Sequence, residues 1–369
     1  MKILFLTNVP SPYRVRFFNT LAQLCDLTVV YEKGKSDERD ARWTEKHGSG
    51  YHSVILQGLR TSTDSAFSPG ILKFLKKDAY DLVIVCGIAS PTQMLAIQWC
   101  RLRGIPYAIE GDGAFPKSGK GPREWLKRHL IHGACLCFST CEMHDAYYLL
   151  YGAKKEALVR YPFTSVDESE VLPAPISAEE KARLREELGI HTEQLLLAVG
   201  QFIPRKGFDV LLQAARKLPE NVEICIVGGE PTEEYLQMQK EWGLDRVRFA
   251  GFMPREKLAS YYRAAEAFVL PTREDIWGLV VNEAMAYGLP VITTTRCNAG
   301  LELVREGENG RLVAPEDADA LAEALRWVLE NDREKMAARS LAIIRNFTIE
   351  QMARRHGEIF TQYLEDKIN

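Results

Sequence analysis

Two α/β domains, each built on a parallel sheet, are predicted for this 369-residue chain, and three observations predict them. Short apolar runs alternate with amphipathic helical patterns along the whole length, which is how a parallel sheet and its covering helices read. The texture breaks at residues 160–178 (RYPFTSVDESEVLPAPISA), where prolines and acids stand without periodicity. The formal charge of −3 conceals an asymmetry, because residues 1–165 are net basic and the remainder is net acidic. A basic half beside an acidic one turns one domain toward an anionic partner. The simplest account is a Rossmann-like domain over 1–165, a linker at 166–178 and a second Rossmann-like domain over 179–347. A C-terminal helix at 348–369 is expected to cross back to the first domain.

Residues 2–9 read as a buried strand, followed by a loop from Pro10 to Tyr13 and a helix near 14–24. Strands are predicted at 26–31, 52–56 and 81–86, and the last of these turns through Gly-Ile-Ala-Ser-Pro into a helix over 91–103. Strands at 105–110 and 134–139 follow, with a helix to about residue 151. In the second half a helix at 178–188 leads into a strand at 195–200 and a helix at 208–217. Strands at 222–227, 247–250, 267–270 and 290–294 repeat the theme, and a helix spans roughly 348–366.

Composition excludes several classes. With 46% apolar and 26% charged residues the chain has material for packed cores and does not read as disordered. No apolar run is long enough to span a bilayer. The start, MKILFLTNV, lacks the features of a secretory signal. Eight cysteines, most inside apolar stretches, include no Cys-x-x-Cys pair, so Cys135, Cys137 and Cys141 read as free thiols rather than metal ligands. A cytoplasmic location is expected, peripheral on the inner membrane face. The densest basic stretch runs from Lys117 through Lys120, Arg123, Trp125, Lys127 and Arg128 to Ile131. A loop entering an amphipathic helix with an interfacial tryptophan suits anionic lipid headgroups, and a solvated helix face is the plainer alternative. No nucleic-acid motif accompanies the charge.

Two segments carry chemistry. The strand ending at Val199 leads into Gly200-Gln-Phe-Ile-Pro-Arg-Lys-Gly207, where helix amides, the helix dipole and the Lys206 charge can meet an anion. It is not a Walker loop, because glycine follows the lysine. From Leu270 to Ile292 a strand, loop, helix and strand follow, with Asp275 on the loop and Glu283 inside the helix. A carboxylate there can accept ribose hydroxyls, and the amides near Gly278 can meet a phosphate.

Both segments resemble the signature of retaining glycosyltransferases of family 4, which have the GT-B fold of two Rossmann-like domains facing a central cleft. That signature is a Gly-Arg-x-x-x-x-Lys-Gly loop and an acid-x7-Glu motif, followed by alanine and a Gly-x-Pro-Val strand. Ser11-Pro-Tyr-Arg14, Tyr161-Pro-Phe-Thr-Ser165 and Glu308-Asn-Gly-Arg-Leu-Val313 extend the resemblance across both halves. It implies that Lys206 neutralises a donor diphosphate, Glu283 binds ribose hydroxyls, and Asp275 contacts the transferred sugar. Gly278, Leu279 and Val280 would touch phosphates through their amides, with Arg205 a weaker phosphate candidate.

Two departures stand out: Gln201 replaces the usual arginine, and Asp275 stands where glutamate is usual. In the first half, Glu110-Gly-Asp-Gly-Ala114 lacks the histidine of many relatives, so Asp112 or Glu110 is considered in its place. Arg14 could meet an acceptor phosphate. Asp317 and Asp319 open a helix and read as capping residues rather than metal ligands.

The function implied is retaining transfer of a sugar, foremost from a UDP-sugar, to a glycan or polyprenyl-diphosphate-linked glycan, with no metal or other cofactor required. The alternative is a nucleotide-sugar-binding subunit without turnover. A nicotinamide dehydrogenase is disfavoured, because the first strand enters Pro10-Ser-Pro-Tyr-Arg14 instead of a Gly-x-Gly-x-x-Gly turn.

Overall fold

The computed structural model describes residues 1–34, 50–61 and 65–368. These divide into two compact units, Met1–Ser165 with Thr348–Asn369, and Val166–Phe347. The first unit begins with β1 (Lys2–Thr7), α1 (Pro12–Leu21), β2 (Asp26–Tyr31) and β3 (His52–Ile55). A short antiparallel pair follows, β4 (Leu59–Arg60) with β5 (Ala66–Phe67), then β6 (Leu82–Cys86) and α2 (Pro91–Arg103). The helix α2 starts at a capping box of Ser90 with Gln93 and stops at Gly104, whose left-handed φ of 62° suits a residue without a side chain. Next come β7 (Tyr107–Glu110), α3 (Pro122–Ile131), β8 (Leu136–Ser139), α4 (Glu142–Leu150) and β9 (Leu158–Arg160). The larger strands form one parallel sheet in the order β3-β2-β1-β6-β7-β8-β9.

In the second unit α5 (Ala178–Glu187) precedes β10 (Gln194–Val199), α6 (Phe208–Ala215), β11 (Val222–Val227) and α7 (Glu233–Glu241). Then follow β12 (Val247–Ala250), α8 (Arg255–Ala264), β13 (Ala267–Leu270), α9 (Leu279–Ala286) and β14 (Val291–Thr294). The unit ends with α10 (Asn298–Leu303), β15 (Gly310–Val313), α11 (Ala318–Glu330) and α12 (Arg333–Ile344). Its parallel sheet runs β12-β11-β10-β13-β14-β15, the order of a doubly wound dinucleotide fold. Strand order reverses between β10 and β13, so the crevice beyond their carboxyl ends is where such a sheet receives ligands. Leu195 to Ala198 and the whole of β11 are buried, as expected of strands covered by helices on both faces.

The segment 166–177 packs on the second unit: the Leu172 amide donates to the Ala286 carbonyl at 2.9 Å, and Arg345 to the Pro173 carbonyl at 2.8 Å. The helix α13 (Ile349–Ile368) returns to the first unit and packs on α1. It buries Met352, Ala353, His356, Ile359 and Phe360. Asp317 caps α11, its carboxylate accepting from the Ala320 amide at 2.9 Å, while Asp319 pairs with Lys217.

Candidate functional site

In the second unit, the turns that follow β10 and β13 meet at the reversal of strand order. The first is a tight 3-10 turn, Pro204–Lys206, closed by Gly207 at φ 69°. A β-carbon on Gly207 would come within 2.1 Å of the Pro271 carbonyl oxygen, so glycine is what lets the two turns touch. The Thr272 hydroxyl and the Arg273 amide both donate to the Arg205 carbonyl, at 2.9 and 2.8 Å. That seam brings Lys206 Nζ to 2.5 Å from Asp275 Oδ2 and Arg205 to 3.5 Å from Asp275 Oδ1. Arg205 also donates to the Glu274 carbonyl at 2.8 Å. Gln201 is exposed on the loop after Gly200.

The helix α9 begins four residues past Asp275. Its N-cap is Gly278 at φ 104°, without a side-chain cap, and its first turn holds no acid. A β-carbon on Gly278 would press to 2.8 Å from Cys297 Sγ. Leu279 and Val280 therefore open a helix whose first amides have no intrahelical acceptors and no acidic rival for an anion. Glu283 lies a turn and a half inside the helix, accepting from the Tyr262 hydroxyl at 3.2 Å. It lines a small pocket with Glu170, Arg255, Tyr262 and Tyr287. Lys206 and Arg205 thus both reach Asp275, while Gly278 caps the helix that follows and Leu279, Val280 and Glu283 lie in it.

In the first unit Arg14 is buried between Glu110 and Asp112 and forms an ion pair with each. Glu110 is 0% exposed and also receives His356 Nε2 at 3.2 Å, whereas Asp112 is 36% exposed and accepts from the Tyr13 hydroxyl at 3.0 Å. Burial alone would raise the Glu110 carboxyl, but the Arg14 charge and the His356 hydrogen bond outweigh it and hold it at about 2. Burial, then the Asp112 charge, pushes the Tyr13 hydroxyl above its usual range. Because both of its carboxylate partners are occupied with it, the Arg14 guanidinium is placed as a support for the 110–112 loop.

Two histidines of this cluster were not found by sequence reasoning. His356 comes from the far end of the chain and sits among Phe17, Phe138 and Tyr161, with ring centroids 4.8, 5.0 and 4.8 Å away. His144, from α4, stacks on Tyr148 at 4.4 Å beneath Gly111, where a β-carbon would lie 2.9 Å from His144 Cε1. Its Nδ1 accepts from the Thr140 amide at 3.3 Å, and burial pushes its pKa down to about 3. A depressed histidine opposes folding where the unfolded chain takes up the proton, so stability falls as pH drops below about 6.5 and keeps falling toward 3. Between pH 7 and 5 this group should remove about 2 kcal/mol. Urea unfolding of His144→Gln should show a correspondingly shallower loss, and an unchanged loss would reject this origin. Glu110 does not interfere, because its contribution disappears only below the ordinary carboxylate range.

Residues 180–342 match the model of the family described as Glycosyl transferases group 1. The match lies within the second unit. Among curated relatives of this chain, a D-inositol 3-phosphate glycosyltransferase of Xylanimonas cellulosilytica is 34% identical over 62% of the chain and 56% of the relative. A GDP-mannose-dependent alpha-(1-6)-phosphatidylinositol monomannoside mannosyltransferase of Mycolicibacterium smegmatis is 32% identical over 47% of each. The chain spans about half the length of the curated relatives it matches. Among solved structures, Anabaena Alr3699/HepE in complex with UDP and glucose has a TM-score of 0.76 at 19% identity, covering 98% of this chain and 100% of that one. Sucrose-phosphate synthase of Thermosynechococcus elongatus has a TM-score of 0.75 at 21% identity, covering 99% and 100%. The fold is GT-B, with a parallel α/β sheet in each of two Rossmann-like domains and the C-terminal helix returned to the first.

Among the described residues no helix is long and apolar enough to cross a membrane, and no group of three or more His, Cys, Asp or Glu could hold a metal ion.

Proposed function

We propose that this protein is a retaining glycosyltransferase that takes a sugar from a nucleoside-diphosphate sugar, foremost a UDP-sugar, to a glycan or lipid-linked glycan. The observation that carries this reading is the Lys206–Asp275 pair at the strand-order reversal of the unit that matches the group 1 family model. Lys206 and the opening amides of α9 face the diphosphate, Glu283 takes the ribose hydroxyls, and Asp275 the transferred sugar. Arg205, nearer to solvent, is a second phosphate contact, and Gln201 adds a neutral donor where relatives carry charge. The bond from the anomeric carbon to the diphosphate breaks while a bond to the acceptor oxygen forms on the same face. The acceptor proton passes to the departing phosphate oxygen, so stabilising the leaving group matters more than a protein nucleophile. Lys206 and the helix amides supply that stabilisation without a metal. Asp112, the more accessible of the two carboxylates paired with Arg14, is assigned to the sugar hydroxyls, and Glu110 and Arg14 hold it.

A thermal-shift panel of UDP-, GDP-, ADP- and dTDP-sugars, with and without magnesium, tests the donor site. One nucleotide at about a hundred times its dissociation constant should add about 2.7 kcal/mol, abolished by Glu283→Ala and indifferent to magnesium. A flat panel would leave the donor assignment without support. The second reading, a binding subunit without turnover, is favoured by Gln201 alone and is recognised by a shift with no transfer.

The basic helix supports an anionic membrane surface as the docking partner. Trp125 is 64% exposed and stacks on His129, and Lys117, Lys120, Arg123 and Arg128 are exposed around it. Only Lys127 is drawn inward, toward Glu124 and Tyr151. Sedimentation with phosphatidylglycerol vesicles should weaken about 30-fold in the Arg123→Ala/Arg128→Ala double variant, at about 1 kcal/mol per cation. Equal binding to neutral vesicles would remove the anionic headgroups from this account.

A further inference from the structure

The turn that carries Lys206 is held by a residue outside the recognised motif. Arg273 donates through Nη1 to the Pro204 carbonyl at 2.5 Å, the first residue of that turn, and its own amide holds the Arg205 carbonyl. The same guanidinium engages Asp209 twice, Nη1 to Oδ1 at 2.9 Å and Nη2 to Oδ2 at 2.6 Å, while Nε reaches Glu316 at 2.8 Å. All three guanidinium nitrogens are thus occupied by protein groups, in the forked geometry that lysine cannot reproduce. Asp209 is the acid in the first turn of α6, where a free carboxylate would occupy the positive helix end and repel a phosphate.

We propose that Arg273 is a positioning residue for the diphosphate. It fixes the 204–206 turn against the 271–275 turn, so that Lys206 stays beside Asp275. It also neutralises Asp209, so that the start of α6 remains favourable to a second anion. Arg273 touches no substrate. This rests on the donor reading above, and the test separates the two.

Calorimetric titration with UDP, GDP, uridine and guanosine is made on the wild type, Arg273→Lys, Arg273→Gln and Arg273→Gln/Asp209→Asn. The glutamine variant should lose at least about tenfold in affinity for whichever diphosphate the wild type binds, since a misplaced charge forfeits most of its contact. Affinity for the matching nucleoside should stay within about twofold, a distinction that general loosening of the unit would not produce. Removing the Asp209 charge should recover part of the loss, and the lysine variant should fall between wild type and glutamine. Equal losses for diphosphate and nucleoside, or no loss of diphosphate affinity in both the glutamine and lysine variants, would overturn the role of Arg273 and leave the donor site standing. A wild type that binds neither UDP nor GDP would sink the donor reading and this inference with it.

Discussion

Glu110→Gln should cost about 3 kcal/mol of stability in the first unit, while Asp112→Asn should cost less than about 1 kcal/mol. The two carboxylates share Arg14 and differ in where they sit. Glu110 is fully buried between Arg14 and His356, so neutralising it strands a buried guanidinium with half its compensation and weakens the hydrogen bond to the imidazole. Asp112 is partly in water, which screens its pairing. Function should divide the other way, with Asp112→Asn retaining the fold and losing transfer. Hydrogen exchange resolved by unit is the suitable measurement, because two units need not unfold in one transition. Equal costs for the two substitutions would reject the division between a supporting and an exposed carboxylate.

Lys206→Ala and Glu283→Ala should each lower transfer at least about a hundredfold, the scale of losing one group aimed at developing charge. For Lys206 the local geometry adds a second effect. Asp275 is buried and lies 2.5 Å from the ammonium, so removing the lysine leaves a carboxylate with only the more distant Arg205 to compensate it. That negative charge would then face an incoming diphosphate. Lys206→Ala/Asp275→Asn should consequently bind UDP better than Lys206→Ala alone, although it transfers no faster. Initial rates with the donor identified by thermal shift decide the first point and titration with UDP the second. Near-wild-type rates in either single variant would falsify the site assignment.

Much of this was legible in the sequence because the signals were local. Strand–loop–helix units announce themselves by alternating texture, and Lys206, Asp275 and Glu283 lie within short segments whose spacing is set by one turn and one helix. What was missed depends on distant parts of the chain. The strand β15 opens with Gly310, a weak strand former that is required because a β-carbon would come within 1.9 Å of the Val291 carbonyl oxygen. The carboxylate partners of Arg14 arrive 96 and 98 residues later, so its ion pairs were not legible beside it in the sequence. Arg273 drew no reading from the sequence, and only the contact between two turns shows what it holds. His356 carries no motif at all.

The return of α13 to the first unit also sets an order of manufacture. Residues 1–165 leave the ribosome first, yet the ring of Phe17, Phe138 and Tyr161 stays open and Glu110 waits with one partner until His356 has been made. The whole of the Val166–Phe347 unit is synthesised in that interval. The unit translated first is therefore completed last. During biogenesis its exposed aromatic face, rather than the Val166–Phe347 unit, is the natural client of chaperones and the place where a prematurely terminated chain would be detected.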